Sequence, residues 1–293
     1  MKHKVLDLFA GIGGFSLGLE RTDGFETVAF CEQDEKAQLV LKKHWPDVPM
    51  YGDIRTLTVE RLQADGIVPT VITGGFPCQD ISNAGRGEGI IGERSGLWSE
   101  MFRLIRDVRP AWAIIENVSA LRSKGLTLVL QNLSEIGYCA EWHCVPASAL
   151  GASHQRDRIW IVAYPVEHTD QPQCEGGGIP GRVLEELSLT DCGGSGRTAS
   201  KIVADSECER QPGQGPLRDA SYSTPLIQRE AAQLIHGSFK NKWSPEPNLD
   251  RVANGVPKRM DRLKQLGNAV VPQIPELFGK AILAAESIHR DNS

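Results

Sequence analysis

Along the first 165 residues, short apolar runs rich in β-branched side chains alternate with segments whose apolar positions recur every three to four residues. The runs predict strands at 5–9, 27–31, 70–73, 111–116, 139–145 and 159–163. The helical spacing predicts helices over 35–44, 97–108 and 126–136. Strands alternating with helices imply an α/β fold with a parallel sheet flanked by helices. In open sheets of this kind ligands sit at the carboxyl ends of strands, so a glycine or acidic residue there is a candidate for chemistry.

The patterning changes after Pro165. From His168 to Gln228 the chain is rich in Gly, Ser, Pro, Gln and charge, with glycine clusters at 176–178 and 193–194. Three pieces near 169–174, 190–192 and 205–208 look alike, which is too little to establish a repeat. Regular apolar spacing returns at 262–266, and 274–288 predicts a closing helix after Pro272 and Pro275. The organisation expected is a large α/β body, residues 1–165, with a small irregular lobe at 166–250. Residues 251–293 then return to the body.

The chain has 293 residues, 40% of them hydrophobic, which is enough to bury a proper core. A membrane span needs roughly 18 or more consecutive apolar residues, and none occurs, so none is expected. Lys2 and Lys4 followed by apolar positions up to Leu19 imitate a secretion signal. Asp7 and the glycines interrupt that run and no small-residue cleavage site follows, so a buried strand entering a glycine turn is the better reading. Seven cysteines without a CxxC pair suit a reducing, cytoplasmic setting. Cys174, Cys192 and Cys208 with His168 are too irregularly spaced for a zinc framework, and no metal is expected. The net charge of −5 gives no global attraction to a polyanion. The acid surplus lies outside residues 151–273, whose charges balance, so a polyanion would be tolerated in that stretch.

Four strand ends carry candidate chemistry. DLFAGIGG at 7–14 puts a glycine turn directly after a strand, where backbone can approach a ligand closely. It is not a dinucleotide fingerprint, because the third glycine would fall at Ser16. Glu32, after the next strand, could accept from ribose hydroxyls, and Asp53 from an adenine amino group. Together they favour an adenosine-bearing ligand. GGFPCQ at 74–79 follows the strand ending at Thr73, and Cys78 there is placed like a nucleophile rather than a packed core thiol. Cys31, Cys139 and Cys144 read as strand or core residues. Glu116 ends a very apolar strand, where desolvation raises a carboxyl pKa, so it is either an acid/base partner of Cys78 or salt-bridged to Arg156 or Arg158. Strand alternation would point both arginines to one face, suited to anionic or carbonyl oxygens.

In this order the motifs DLFAGIGG, GGFPCQ, ENV at 116–118, QRDR at 155–158 and GNAVVP at 267–272 resemble the cytosine-5 DNA methyltransferases. The resemblance covers about residues 3–165 and 250–285. It implies a doubly wound, mostly parallel, Rossmann-like sheet that uses S-adenosylmethionine, with a target-recognition lobe at 166–250. It also implies that Phe9, Gly11, Ile12, Gly13, Glu32, Asp53, Pro77, Leu97 and Asn268 line the cofactor pocket. Cys78, Glu116, Arg156 and Arg158 would be the catalytic set, with Cys78 as nucleophile, Glu116 at ring nitrogen 3 and Arg158 on the cytosine 2-carbonyl. Gln79, Ser82, Arg94 and Asn117 would contact the substrate. His154 stands where the family pattern starts with Gln. The partner implied is double-stranded DNA, with a companion restriction endonuclease for the same site, and the chain is expected to be a monomer of bacterial or phage type. Residues 170–225, poor in apolar side chains, are expected to be disordered without DNA.

Overall fold

The computed structural model describes residues 1–77, 96–152, 154–166 and 265–291. Cys78, Gln79, Ser82 and Arg94 lie outside the described residues, as do His168, Cys174, Cys192, Cys208 and nearly all of the expected lobe.

All six expected strands form. They are β1 (His3–Leu8), β2 (Phe25–Cys31), β4 (Val71–Gly74), β5 (Trp112–Val118), β6 (Tyr138–Pro146) and β7 (Asp157–Pro165). A further two-residue strand, β3 (Met50–Tyr51), is too short for periodicity to reveal. They make one seven-stranded sheet in the order β3-β2-β1-β4-β5-β7-β6. The first five in that order pair in parallel, and β7 is antiparallel to both β5 and β6.

Successive residues in these strands are both apolar because both faces of the sheet are covered. Leu6, Leu8, Ile72, Ile115 and Ile161 face one core; their neighbours Val5, Val71, Ile114, Trp160 and Val162 face the other. The first core is closed by α3 (Val59–Ala64), α4 (Gly96–Val108), α5 (Leu121–Lys124) and α6 (Leu126–Glu135). Trp98, Met101, Leu104 and Ile105 form the buried stripe of α4, and the Trp98 indole donates to Asn132 Oδ1 at 3.0 Å. The second core is closed by α1 (Gly14–Glu20) and α7 (Gln273–Asp291), with Phe15 and Phe278 packed on the Trp160 ring. Helices on both faces make the fold a doubly wound α/β sheet.

Local rules fix the helix ends. Asp34 caps α2 (Glu35–His44) by accepting from the amides of Lys36 and Ala37, while Lys42, Lys43 and His44 meet the negative end of the dipole. Pro275 falls in the first turn of α7, where its missing N–H has no helical partner to lose. The bare Cα of Gly18 lets α7 approach α1, since a Cβ there would overlap the Pro272 carbonyl. Among the described residues, no helix is long and apolar enough to cross a membrane.

Candidate active site

Register collects the site at one edge of the sheet. Leu8 lies level with Cys31 on one side and Gly74 on the other, Gly74 with Ile115, and Val118 with Arg158. The carboxyl ends of β2, β1, β4 and β5 therefore share an edge with the amino end of antiparallel β7. The order reverses at β1, whose two neighbours are β2 and β4. Such a switch point leaves a crevice for a ligand.

The turn after β1 owes its shape to three left-handed residues, Phe9 (φ 52), Gly11 (φ 55) and Gly13 (φ 85). The glycines take this conformation without strain; Phe9 does not. A Cβ on Gly13 would stand 2.6 Å from the Trp45 ring, and one on Gly14 2.5 Å from the Val270 carbonyl oxygen. The turn is thus pressed between α2 and the GNAVVP segment. Gly11 is different: nothing stands within 4 Å of the place its Cβ would occupy. Its amide donates to Glu32 Oε2 at 2.7 Å, and Glu32 Oε1 accepts from the Asp34 amide at 2.7 Å. Glu32 therefore reaches from the end of β2 across to the turn, beside open space.

Asp53, expected as an adenine acceptor, follows β3 and caps a short 3₁₀ turn. Its carboxylate accepts from the Arg55 amide at 3.0 Å and pairs with the Arg55 guanidinium at 2.8 Å. Arg55 holds that carboxyl below its ordinary range. Leu97 is half-buried near the start of α4, Ile12 is half-buried in the turn, and Pro77 and Asn268 are exposed.

Beneath the turn lies an acid that sequence reasoning passed over. Asp7 is fully buried, with Ser16 donating to Oδ2 and Thr73 to Oδ1, each at 2.8 Å. Burial pushes its carboxyl up to about 7, against the pull of those hydrogen bonds. It joins α1 to β4, and so the glycine turn to the strand that leads to Cys78. The signal for it was an acid interrupting an apolar strand.

At the end of β5, Glu116 pairs with Arg158, Oε1 to Nε at 2.9 Å. Burial raises the carboxyl above its ordinary value, while the Arg158 and Arg156 charges oppose the rise. A Cβ on Gly75 would stand 2.9 Å from Glu116 Oε2, so the carboxylate rests on the backbone of the GGFPC segment. Asn117, expected at the substrate, is buried. Its amide donates to the Phe76 carbonyl at 3.1 Å, and its Oδ1 accepts from the Val118 amide at 2.8 Å. It tethers that same segment two residues before Cys78.

The shared face expected for Arg156 and Arg158 is corrected. Arg156 lies outside β7 with φ 35, which breaks strand alternation. Arg158 turns to Glu116, while the Arg156 guanidinium donates to the carbonyls of Gly267 at 2.7 Å and Ala269 at 2.6 Å. Cys31, Cys139 and Cys144 lie in strands as expected, and burial pushes the Cys31 thiol up to about 12.

Residues 3–188 match the model of the C-5 cytosine-specific DNA methylase family. The chain belongs to that family. Type II methyltransferase M2.BsuMI of Bacillus subtilis is 40% identical over 168 residues, covering 55% of this chain and 41% of that protein. Type II methyltransferase M.CviJI of a Paramecium bursaria Chlorella virus is 36% identical over 165 residues, covering 56% of this chain and 43% of its own. The matched part thus spans about two-fifths of these relatives. Among solved structures, a mutant of Spodoptera frugiperda DNMT2 is 21% identical with a TM-score of 0.49, covering 57% of this chain and 51% of that one.

Proposed function

We propose that the protein is a DNA (cytosine-5)-methyltransferase that uses S-adenosylmethionine and forms a transient covalent bond from Cys78 to a cytosine flipped out of duplex DNA. The observation that carries this reading is the half-buried Glu116–Arg158 pair resting on Gly75, at the edge where the glycine turn also lies. Family membership supports it.

The residues present fit the methyl donor. Open space above Gly11, with the Glu32 carboxylate at its rim, suits a nucleoside whose hydroxyls need acceptors. Glu32 and Asp53 would hold the nucleoside, and Phe9, Ile12, Gly13, Pro77, Leu97 and Asn268 would line the rest. When bound, S-adenosylmethionine supplies an electrophilic sulfonium methyl.

The chain's own groups supply what cytosine lacks. Carbon 5 is a poor nucleophile until a thiolate adds at carbon 6. The Cys78 sulfur forms that bond, and the displaced electron pair makes carbon 5 enamine-like. Glu116, raised by burial, can hold a proton at ring nitrogen 3 as charge develops there. Arg158 would donate to the 2-carbonyl while keeping Glu116 in place. Carbon 5 then takes the methyl group, whose bond to the sulfonium breaks with its electron pair left on sulfur. Loss of the carbon-5 proton to water, return of the nitrogen-3 proton to Glu116 and expulsion of the thiolate would restore the aromatic ring. The base must leave the stack first, at a cost of a few kcal/mol. Gln79, Ser82 and Arg94 are proposed at the flipped nucleotide, and the lobe at 166–250 is proposed to read the target. By analogy with relatives named Type II methyltransferases, a restriction endonuclease for the same site is proposed as companion; the enzyme itself is proposed to act as a cytoplasmic monomer.

Bisulfite sequencing of a plasmid from cells expressing the protein tests the reading and reports the target. Protected cytosines within one recurring short sequence are expected. Full conversion at every cytosine, with folded protein present, would contradict it.

A further inference from the structure

Arg156 does something that its place in the arginine motif does not announce. Its guanidinium donates to two backbone carbonyls, those of Gly267 and Ala269, at 2.7 and 2.6 Å. The rigid fork of arginine can hold both at once, which a lysine ammonium on a flexible stem does less well. The clasp joins residues 111 apart in sequence. It fixes the peptide planes on either side of Asn268 and Ala269, and the next residue, Val270, puts its carbonyl against Gly14 of the glycine turn. The left-handed backbone of Arg156 aims the side chain there, a strain that persists only where the surroundings over-determine it. The Gln155 carbonyl is itself anchored by the Ala147 amide at 2.7 Å.

We infer that Arg156 is a positioning residue for the cofactor pocket: it holds the Gly267–Ala269 segment, where a helical turn ends, and with it Asn268, against the glycine turn, while Arg158 alone serves the base. This rests on the reading of that pocket as the S-adenosylmethionine site. It assigns the two arginines of one motif to different ligands.

A double-mutant cycle on cofactor binding tests it, with S-adenosylmethionine titrated calorimetrically into the full-length protein without DNA. Arg156→Ala should weaken binding about tenfold, the size of one charge-assisted hydrogen bond. Asn268→Ala should weaken it comparably, and the double variant should bind no worse than the weaker single one, because Arg156 acts through Asn268. Arg156→Lys, which keeps the charge without the fork, should fall between wild type and Arg156→Ala, and it carries the cycle if the alanine variant does not fold. In turnover, Arg156→Ala should raise KM for S-adenosylmethionine more than it lowers kcat, whereas Arg158→Ala should lower kcat at unchanged cofactor affinity. Additive losses in the cycle would overturn the inference, as would wild-type cofactor affinity in Arg156→Ala with turnover lost as in Arg158→Ala. A wild-type protein that binds no S-adenosylmethionine would instead remove the cofactor reading, and this inference with it.

Discussion

Two carboxyls raised by desolvation, Glu116 and Asp7, keep different company and do different work. Glu116 faces the Arg158 charge at the crevice, and Asp7 beneath it is held by neutral donors, the hydroxyls of Ser16 and Thr73 and the Ser16 amide. Glu116→Gln keeps the shape but cannot deliver a proton, so turnover should fall about 100-fold or more with cofactor affinity nearly intact. Unchanged turnover would make the pair structural. Asp7 acts on stability. Its pKa is raised from 3.8 to about 7, so between those values the folded protein keeps a proton that the unfolded chain has lost, and stability falls as pH rises through that window. Buried His143, lowered from 6.5 to about 4, has the opposite sign: stability rises with pH between those values. Comparing melting curves of Asp7→Asn and wild type from pH 4.5 to 8 isolates the Asp7 contribution, and the variant should gain several degrees on wild type as pH rises. Parallel curves would show that Asp7 is ionised throughout. Asp7 was visible in sequence only as an interruption, because a single polar residue in an apolar run does not reveal whether hydroxyls wait for it.

At the scale of elements, the contact between α1 and α7 depends on one missing methyl group. Gly18→Ala would drive a Cβ into the Pro272 carbonyl and close to Pro275, and overpacking of this kind costs about 1–3 kcal/mol. Gly96→Ala, at the start of α4 where nothing stands within 4 Å, serves as the control and should leave the denaturation midpoint nearly unchanged. Equal effects at the two positions would show that α7 does not press on α1 as described. The strands and the long helices were legible because their periods are written in side chains: α2 matches its expected span, and α4, α6 and α7 differ by a few residues. The short α3 and α5 and the two-residue β3 were not legible, since one turn of helix or one strand pair carries too few positions for a period. The parting of Arg156 from Arg158 was equally hidden. Strand alternation applies only inside the strand, and nothing local marks the left-handed residue just before β7.

In the whole molecule, distant segments are tied around the crevice. Glu286 near the end of α7 binds the His3 ring at 3.0 Å and the Trp112 indole at 2.9 Å, holding that helix to β1 and β5. Arg156 and Val270 do the same at its other end. Four of the five motifs could be read together in advance because each lies at a strand end and register makes strand ends neighbours; GNAVVP instead leads into α7. The tethers that align them, Asn117 to Phe76 and Asp7 to Ser16 and Thr73, join residues far apart in the chain and have no mark in the sequence. In the proposed mechanism all of them serve a bond from Cys78 to a base, and that bond can be weighed. Mass spectrometry of the protein after incubation with S-adenosylmethionine and a duplex bearing 5-fluorocytosine at the target should show a covalent protein–DNA species that maps to Cys78. Cys78→Ser should show none while still binding S-adenosylmethionine. Catalytic methylation without any adduct, or an adduct that survives Cys78→Ser, would contradict the account.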